Sequence, residues 1–409
     1  MFRVTDRDIP RRTIPALLLL GFASGLPSEL VAGTLQQWFV DVGLKPGEIG
    51  LMGLVGLPFA LKFLWAPVLD RFAPPFGLRR GWMLLSQVLV LLGLVAMAFL
   101  DPGRTPSALL IVATLVAVMS ATQDIAVNAI TCEAVDERRL GAAAGAAVWG
   151  YRAAALVSGA AALALAQHCG WKITYLSLAG MMLIGVAGSL LVPEPVRLRP
   201  PGTLAAAVVE PLVAFWRDLG PWRLAGLLAF SLLFRLSDQW AGNQSGVFLR
   251  ELGFDKEAIG WARGVVGLVA AGVGVAAAGW LATRWGLIRC LWLGGILGAA
   301  SNAVYLLLAG GYWHGPWGLG TAMAIENACG GFLAAVFVGF LMRHCSPGQA
   351  ATQYAVLTAA WALGKYLTAP AGYLVASVGW NGFFVASIAV CLPGFVLLEL
   401  LGRQQRPTT

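Results

Sequence analysis

Nine ionisable residues lie deep inside long apolar stretches of this 409-residue chain. A charge in such a stretch is costly, so it is usually retained where it binds a substrate, an ion or a proton. The acids are Glu29, Asp124, Asp238 and Glu326, and the bases are Lys62, Arg152, Arg235, Arg263 and Lys365. A carboxyl withdrawn from water binds a proton more readily. The acids are therefore candidate proton-binding groups, and the bases suit an anionic ligand.

Several of these residues also have a purely structural explanation. Arg235 and Asp238 stand three positions apart, on one helix face, where they can neutralise each other. Lys62 can extend its ammonium group to the nearer membrane surface. Arg263 can pair with the neighbouring Glu257. From the sequence alone these alternatives stay open.

The isolated acids form a separate group. Glu29 has hydroxyl-bearing neighbours and can be a hydrogen-bonded structural acid. Asp124 and Glu326 have no cation within one helical turn. Each of these two therefore needs a partner from another helix or a bound proton, and we favour a functional role for both.

The elements that carry these charges are predicted to be membrane-spanning helices. Hydrophobic residues make up 58% of the chain and charged residues 12%, against about 25% charged in soluble domains. Only helices and closed barrels satisfy the backbone in lipid, and the continuous apolar stretches lack the alternation of barrel strands. A crossing takes about 20 residues. Spans 1 to 12 are predicted at 14–39, 49–69, 82–100, 108–130, 141–166, 172–192, 223–249, 258–282, 287–309, 316–342, 350–377 and 381–402.

The loop charges predict the orientation of the spans. Eighteen Lys and Arg residues fall on the side of the two termini and the loop 193–222, and five fall on the other side. The positive-inside rule places both termini and that loop in the cytoplasm. This asymmetry accounts for the net charge of +8 without nucleic-acid binding. The scattered cysteines and histidines predict no metal site, and no nucleophile–base constellation indicates an enzyme.

An internal repeat divides the chain. Val42-Gly43 through Ile49-Gly50 matches Leu252-Gly253 through Ile259-Gly260 at an offset of 210 residues, and Gly170-Trp171 recurs as Gly379-Trp380. The repeat predicts two pseudo-symmetric six-helix bundles, 1–192 and 223–409, joined by the cytoplasmic loop 193–222. A parallel repeat of six and six spans is typical of major-facilitator transporters, which bind substrate near the bilayer midplane. The predicted fold class is therefore an all-α integral membrane protein with the major-facilitator fold.

The loop after span 2 supports that fold. Asp70-Arg71 is followed by Gly77, Arg79 and Arg80, a pattern that resembles the signature of the superfamily. The resemblance implies that Asp70, Arg71, Arg79 and Arg80 bridge helix ends and bias the balance between outward-open and inward-open states.

Longer motifs resemble one family of this superfamily, the AmpG-type muropeptide permeases. They are spread over nearly the whole chain, in order, and include Gly21–Pro27, Lys62–Pro67, Ser120–Ile125, Gly150–Arg152, Phe234–Asp238 and Glu326–Gly331. The family often has Lys where this chain has Arg235, and a second acid where it has Asn128. Its best-known members carry two further C-terminal spans.

The resemblance implies proton-driven import of N-acetylglucosaminyl-1,6-anhydro-N-acetylmuramyl peptides for cell-wall recycling. It also implies supply of the signal that induces β-lactamase, a location in the bacterial cytoplasmic membrane, a monomer, and no cofactor besides the proton gradient. In such folds spans 1, 4, 7 and 10 line the cavity, and each carries one of the acids. The expected proton-coupling residues are Asp124, Glu326, Asp238 and Glu29. The expected substrate-binding residues are Gln123, Arg152, Tyr151, Arg235, Lys62, Lys365, Asn327 and Gln36.

Other functions stay open. Relatives of the family import siderophores or carry acetyl-CoA, so these and other organic anions are alternative substrates. A membrane sensor that uses the fold without transport is less well supported, because it would not need a charge-lined cavity. The 193–222 loop is also too short for an added cytoplasmic domain.

Overall fold

The structure, a computed structural model, describes residues 12–43, 53–136, 138–194, 202–313, 315–368 and 371–403, and within these ranges it contains helices and no β-strand. Before residue 195 the α-helices are α1 (Thr13–Glu29), α2 (Leu35–Asp41), α3 (Leu57–Leu61), α4 (Ala66–Arg71), α5 (Leu78–Ala98), α6 (Pro106–Glu133), α7 (Leu140–Leu156) and α8 (Ala162–Leu191). After residue 201 they are α9 (Leu204–Leu219), α10 (Pro221–Leu233), α11 (Leu236–Glu251), α12 (Lys256–Trp261), α13 (Gly267–Trp285), α14 (Leu287–Ser301), α15 (Ala303–Ala309), α16 (Gly315–Arg343), α17 (Ala350–Gly364), α18 (Ala371–Ala389) and α19 (Leu392–Arg403).

The helices follow the predicted spans. In the described part of the chain, seven helical segments are long and apolar enough to cross a membrane, and a bent pair, Leu204–Leu219 with Pro221–Glu251, passes the same test together. Two of the seven segments hold more than one predicted span, because Leu140–Leu191 covers spans 5 and 6 and Ala371–Gly402 covers the end of span 11 and span 12. The all-α membrane fold is confirmed.

Several predicted spans are helical but interrupted, and spans 1, 2 and 11 are examples. In span 1 a π-helical turn, Leu30–Thr34, joins α1 to α2. In span 2 a 3-10 turn, Lys62–Leu64, separates α3 from α4, and residues 49–52 lie outside the described residues. In span 11 a 3-10 turn, Lys365–Thr368, follows α17. Interrupted backbone at membrane depth is tolerated where it is buried in protein or lines a wet cavity.

The interval 193–222, predicted as a cytoplasmic loop between the bundles, contains a helix, because α9 occupies Leu204–Leu219. Apolar residues recur at intervals of four along this helix, but the six prolines of the interval obscure the pattern. Residues 195–201 lie outside the described residues.

The chain forms two compact units. The first comprises Met1–Asp136, Ala146–Pro211 and Cys345–Ala355, and the second comprises Glu137–Gly145, Leu212–His344 and Val356–Thr409. Each unit thus contains most of one predicted half and a short segment from the other half of the sequence.

Within the first unit, spans 1 and 6 are joined at one end by an aromatic corner. Gly170 adopts φ 80° and ψ 161° inside the long helical segment, a conformation that favours glycine. It turns the chain so that Trp171 stacks on Trp38 with ring centroids 5.5 Å apart. The Trp171 indole also donates a hydrogen bond to Asp41 at 2.9 Å.

The second unit repeats this corner with the corresponding residues. Gly379 has φ 68° and ψ 177°. Trp380 packs on Phe248 at 5.1 Å and donates to the Glu251 carboxylate at 2.6 Å. The residues match those of the first corner at the 209- and 210-residue offsets of the sequence repeat.

Glycines allow other helices to approach closely within each unit. A Cβ atom at Gly25 of α1 would lie 2.6 Å from the carbonyl oxygen of Tyr151 in α7. In the second unit, Gly274 of α13 faces the backbone of Ala328 in α16, with no room for a side chain. Close backbone approach at small residues is a common way for membrane helices to pack. These contacts hold Tyr151 and the middle of α16 in place.

Candidate functional site

The Asp124 cluster, formed by Ser24, Lys62 and Asp124, brings three helices of the first unit together. Asp124 lies in the interior of α6, and its carboxylate accepts a hydrogen bond from Ser24 of α1 at 2.8 Å. The Lys62 ammonium group forms an ion pair with the same carboxylate. The side chains of Lys62 and Asp124 are 15% and 17% exposed, so the pair is largely, but not fully, withdrawn from water.

The break in span 2 positions Lys62 for this contact. Lys62 begins the 3-10 turn, and Pro67 lies in the first turn of α4, where proline is accommodated. Trp65, between these two elements, donates its indole hydrogen bond to Thr122 of α6 at 3.1 Å. Span 2 is therefore fixed to α6 by the Trp65 hydrogen bond as well as by the ion pair.

Polar groups surround the Asp124 cluster. Tyr151 shares a hydrogen bond with Ser28 at 2.9 Å, and its side chain is exposed. Gln123 is fully buried, and its amide nitrogen and oxygen have no hydrogen-bond partner among the described residues. Arg152 follows Tyr151 on α7 and is half-buried. Among them the exposed Tyr151 hydroxyl can bind an additional polar group of a ligand.

Asn128 stands one turn further along α6. Its amide nitrogen donates to the backbone carbonyl of Asp124 at 2.7 Å. Asn128 thus bonds back onto its own helix and supplies no carboxylate. Asp124 supplies the carboxylate in this part of α6.

The Asp238 cluster, formed by Arg235, Asp238 and Trp361, lies in the second unit. Arg235 occupies the break between α10 and α11, with φ −99° and ψ 14°. Its guanidinium group forms an ion pair with Asp238 and lies 5.7 Å from the ring centroid of Trp361. The two charges therefore form the local pair that their spacing suggested, and an aromatic face adjoins it.

Glu326 and Arg263 form hydrogen bonds that the sequence did not indicate. Asn327 donates to the Glu326 carboxylate at 3.3 Å and to the backbone carbonyl of Met323 at 3.0 Å. Arg263 donates a hydrogen bond to Ser245. The suggested pairing of Arg263 with Glu257 involves a side chain outside the described residues.

The remaining expected site residues are Glu29, Gln36 and Lys365. The Glu29 side chain is exposed at the end of α1, and Gln36 is half-buried on α2. The side chain of Lys365 lies outside the described residues.

A second charged group, the Arg79 cluster of Asp70, Arg79, Glu133 and Thr352, lies in the first unit. Arg79 donates two hydrogen bonds to Glu133, at 2.9 and 2.7 Å, and lies 2.8 Å from Asp70. Asp70 in turn accepts the backbone N–H and the hydroxyl of Thr352 at 2.9 and 2.6 Å. Glu133 also accepts the backbone N–H of Gly348 at 3.0 Å.

The two carboxylates of this cluster connect span ends to the segment Cys345–Ala355. Burial raises the pKa of the Asp70 carboxyl above its ordinary value, while Arg79 and the Thr352 hydrogen bonds oppose that rise. Glu133 was not predicted from the sequence, because an acid at the end of a span is ordinarily a solvated charge. Its burial beside Arg79 depends on tertiary packing.

Arg80 and Arg71 donate hydrogen bonds to backbone carbonyls at a helix end and in a loop. Arg80 donates to the carbonyls of Ser189 and Val192 at 3.0 and 2.7 Å, and Arg71 donates to the carbonyl of Gly202 at 3.1 Å. Glu194 accepts the backbone N–H groups of Arg79 and Arg80, each at 2.9 Å. A carboxylate at the start of α5 satisfies helix-end donors and suits the helix dipole.

Comparison with known proteins identifies the family. The sequence pattern of the Major Facilitator Superfamily matches residues 17–242 and 240–409. The chain belongs to the Major Facilitator Superfamily. This superfamily consists of transporters, so the expectation that the chain is not an enzyme is confirmed.

Individual members of the superfamily are close in sequence or in fold. The anhydromuropeptide permease of Escherichia coli K12 is 40% identical over 394 residues, which cover 95% of this chain and 79% of that protein. A transporter named AmpG 4 of Rickettsia felis is 30% identical over 404 residues, 95% of this chain and 96% of the other. The human organic anion transporter MFSD10 superposes with a TM-score of 0.69 at 16% identity, over 95% of this chain and 99% of that one. The resemblance to AmpG-type permeases is confirmed.

Proposed function

We propose that this major-facilitator protein imports anhydromuropeptides across the cytoplasmic membrane of a bacterium, driven by the proton gradient. The 40% identity to the anhydromuropeptide permease of Escherichia coli, over 95% of this chain, supports the substrate class. Such substrates carry carboxylates on their peptide, and the bases of the spans can receive them.

The observation that carries the coupling mechanism is the ion pair between Lys62 and Asp124. While Asp124 is ionised, it holds the ammonium group that an anionic substrate would need. A proton on Asp124 cancels its charge and releases Lys62 to a substrate carboxylate. Proton and anion then bind more tightly together than separately, and this reciprocal linkage is what symport requires.

The Asp238 cluster can work in the same way in the second unit. Protonation of Asp238 would free the Arg235 guanidinium group, and the adjoining Trp361 ring offers a face for a sugar. We assign proton coupling to Asp124, Glu326, Asp238 and Glu29. We assign substrate binding to Gln123, Arg152, Tyr151, Arg235, Lys62, Lys365, Asn327 and Gln36.

The Arg79 cluster is proposed as the element that responds to the state of the transporter. Asp70 and Glu133 each accept hydrogen bonds from the backbone of Cys345–Ala355. Movement of that segment would leave both carboxylates, which flank Arg79, without some of their partners. We therefore assign gating to Asp70, Arg71, Arg79 and Arg80.

The proposed arrangement in the membrane follows from the loop charges. The eighteen-to-five distribution of Lys and Arg supports cytoplasmic termini and a cytoplasmic loop 193–222. We propose that the bundles 1–192 and 223–409 act together as a monomer, in contact with lipid and protons but not with nucleic acid.

Uptake into vesicles that contain only the purified protein tests this function. Labelled anhydromuropeptide and a labelled ferric siderophore are offered in parallel under an imposed inward proton gradient. We expect the muropeptide to accumulate and the siderophore not to accumulate. An uncoupler should abolish the accumulation, and Asp124→Asn should do the same.

The outcomes separate substrate from energy source. Accumulation of the siderophore alone would contradict the muropeptide assignment and identify a siderophore as the substrate. Muropeptide accumulation that persists with the uncoupler would show that an energy source other than the proton gradient drives uptake. Failure of both substrates to enter, with correctly folded protein, would favour the sensor alternative.

A further inference from the structure

The surface of helix α9 has three faces. The surroundings of two of them, the protein and water, are evident from burial and charge. One face, comprising Ala207, Pro211, Ala214 and Phe215, is buried. A second face carries Glu210 and Arg217, which are exposed, and charged side chains there suit contact with water. The helix is therefore held against the protein on one side and hydrated on another.

The third face is apolar and exposed. It comprises Leu204, Val208, Val209, Leu212, Val213 and Trp216, with exposed fractions between 41% and 59%. Four of these residues are spaced every four positions, so they form one continuous stripe along the helix. An apolar stripe of this length in water would be unfavourable.

The position of α9 in the chain indicates what covers the stripe. The helix ends at Leu219, and the next residue, Gly220, has φ 75° and ψ 163° and precedes Pro221, the first residue of α10. There the chain turns by 106° into the segment Pro221–Glu251. A helix at roughly a right angle to a membrane crossing lies along the membrane plane.

The aromatic residues at this turn favour the same surface. Trp216 is 59% exposed and Trp222 is 88% exposed, one on each side of Gly220. Exposed tryptophans concentrate at membrane–water interfaces, because the ring is amphipathic. The apolar stripe of α9 thus adjoins the end of a lipid-facing span.

We propose that α9 is an interfacial helix whose apolar stripe docks into the lipid surface where α10 enters the membrane. The charged face with Glu210 and Arg217 points to water, and the buried face stays on the protein. The occupant of the stripe is the acyl and headgroup boundary of the bilayer, as for other amphipathic helices with one apolar and one polar face.

The docked helix also contacts a segment involved in the proposed gate. Gln353, next to Thr352, donates its amide hydrogen bond to the backbone carbonyl of Pro211 at 3.2 Å. The bilayer would therefore fix the height of α9 and, through Pro211, one end of the segment Cys345–Ala355.

Spin labels on the full-length protein test the docking. Single cysteines are introduced as Val208→Cys and Leu212→Cys on the stripe, and as Glu210→Cys and Arg217→Cys on the charged face, in a background without the six native cysteines. Each variant is labelled with a nitroxide and reconstituted in vesicles of phosphatidylcholine and phosphatidylglycerol. Muropeptide uptake identifies variants that remain folded.

Accessibility of the labels to oxygen, which partitions into lipid, is compared with accessibility to a polar nickel complex. We expect the labels at 208 and 212 to favour oxygen several-fold and the labels at 210 and 217 to favour the nickel complex. Equal preference for the nickel complex at all four sites would overturn the proposal. Dipolar broadening between labels at 212 would assign the stripe to a second copy of the chain and would also overturn it.

Discussion

The ion pair of the Asp124 cluster gives the most direct test of the proposed coupling. Lys62→Met leaves the Asp124 carboxylate with Ser24 but without its cation, and Asp124→Asn leaves the ammonium group beside a neutral amide. Breaking a buried pair by removing one partner costs about 3–5 kcal/mol. Both side chains keep about one sixth of their surface exposed, so we take about 3 kcal/mol for each single variant, at the low end of that range.

The double variant decides whether the loss comes from the pair. With both charges removed, no buried charge is left uncompensated, and we expect a loss of only about 1 kcal/mol. At about 2–4 °C per kcal/mol for units of this size, each single variant should lower the apparent melting temperature by about 6–12 °C. The double variant should lie within a few degrees of the unmodified protein.

Melting is followed by tryptophan fluorescence in detergent, and proton-driven accumulation is measured on the same preparations. Asp101→Asn is the matched control, because Asp101 is 55% exposed and forms its ion pair with the exposed Arg104. It should change neither measurement. A double variant whose loss equals the sum of the two single losses would refute the pairing. Proton-driven accumulation that survives in the double variant would refute the coupling role while leaving the pairing intact.

Three further predictions concern other parts of the molecule. Arg152→Ala should raise the apparent KM for peptide-bearing muropeptides more than for the bare disaccharide, and an equal rise for both would indicate a structural role. Glu133→Gln removes half of the carboxylate charge around Arg79, so thermal unfolding should shift down by an amount equivalent to about 2–3 kcal/mol; an unchanged midpoint would contradict the buried contact. Gly274→Val should separate two packed helices and reduce the amount of folded protein in the membrane, whereas Gly242→Ala, where a Cβ meets nothing within 4 Å, should not; similar yields for both would contradict the close packing.

The membrane helices were predictable because their signal is local. A run of about 20 apolar residues is sufficient to indicate a crossing, and span 9, predicted at 287–309, coincides with the observed segment Leu287–Ala309. The glycine corners were found as a repeated dipeptide. The positive φ angles of Gly170 and Gly379 explain that repetition physically.

The interruptions were harder to predict. Hydropathy averages over a window, so the short 3-10 turn at Lys62 is hidden inside an apolar stretch. For the same reason α9 was missed, since the charges and prolines of the interval dilute a stripe that is evident only at four-residue spacing.

Whether the partner of a charged residue could be predicted depended on how far apart the two residues are in the sequence. Arg235 and Asp238 are three residues apart, and their pairing was foreseen as one alternative. Lys62 and Asp124 are separated by 62 residues, so the sequence indicated only that Asp124 needed a partner. Glu133 gave no signal of its own, because burial of a carboxylate is decided by packing.

The duplicated aromatic corners have a consequence for how the protein is made. In each half the first and sixth crossings are tied together at one end, by Trp171 with Asp41 and by Trp380 with Glu251. The contacts of a corner are therefore available once the last helix of its own half has left the ribosome. The corner of the earlier half can accordingly form in the bilayer during synthesis of the later one, whereas the contacts of Asp70 and Glu133 with Cys345–Ala355 form only afterwards.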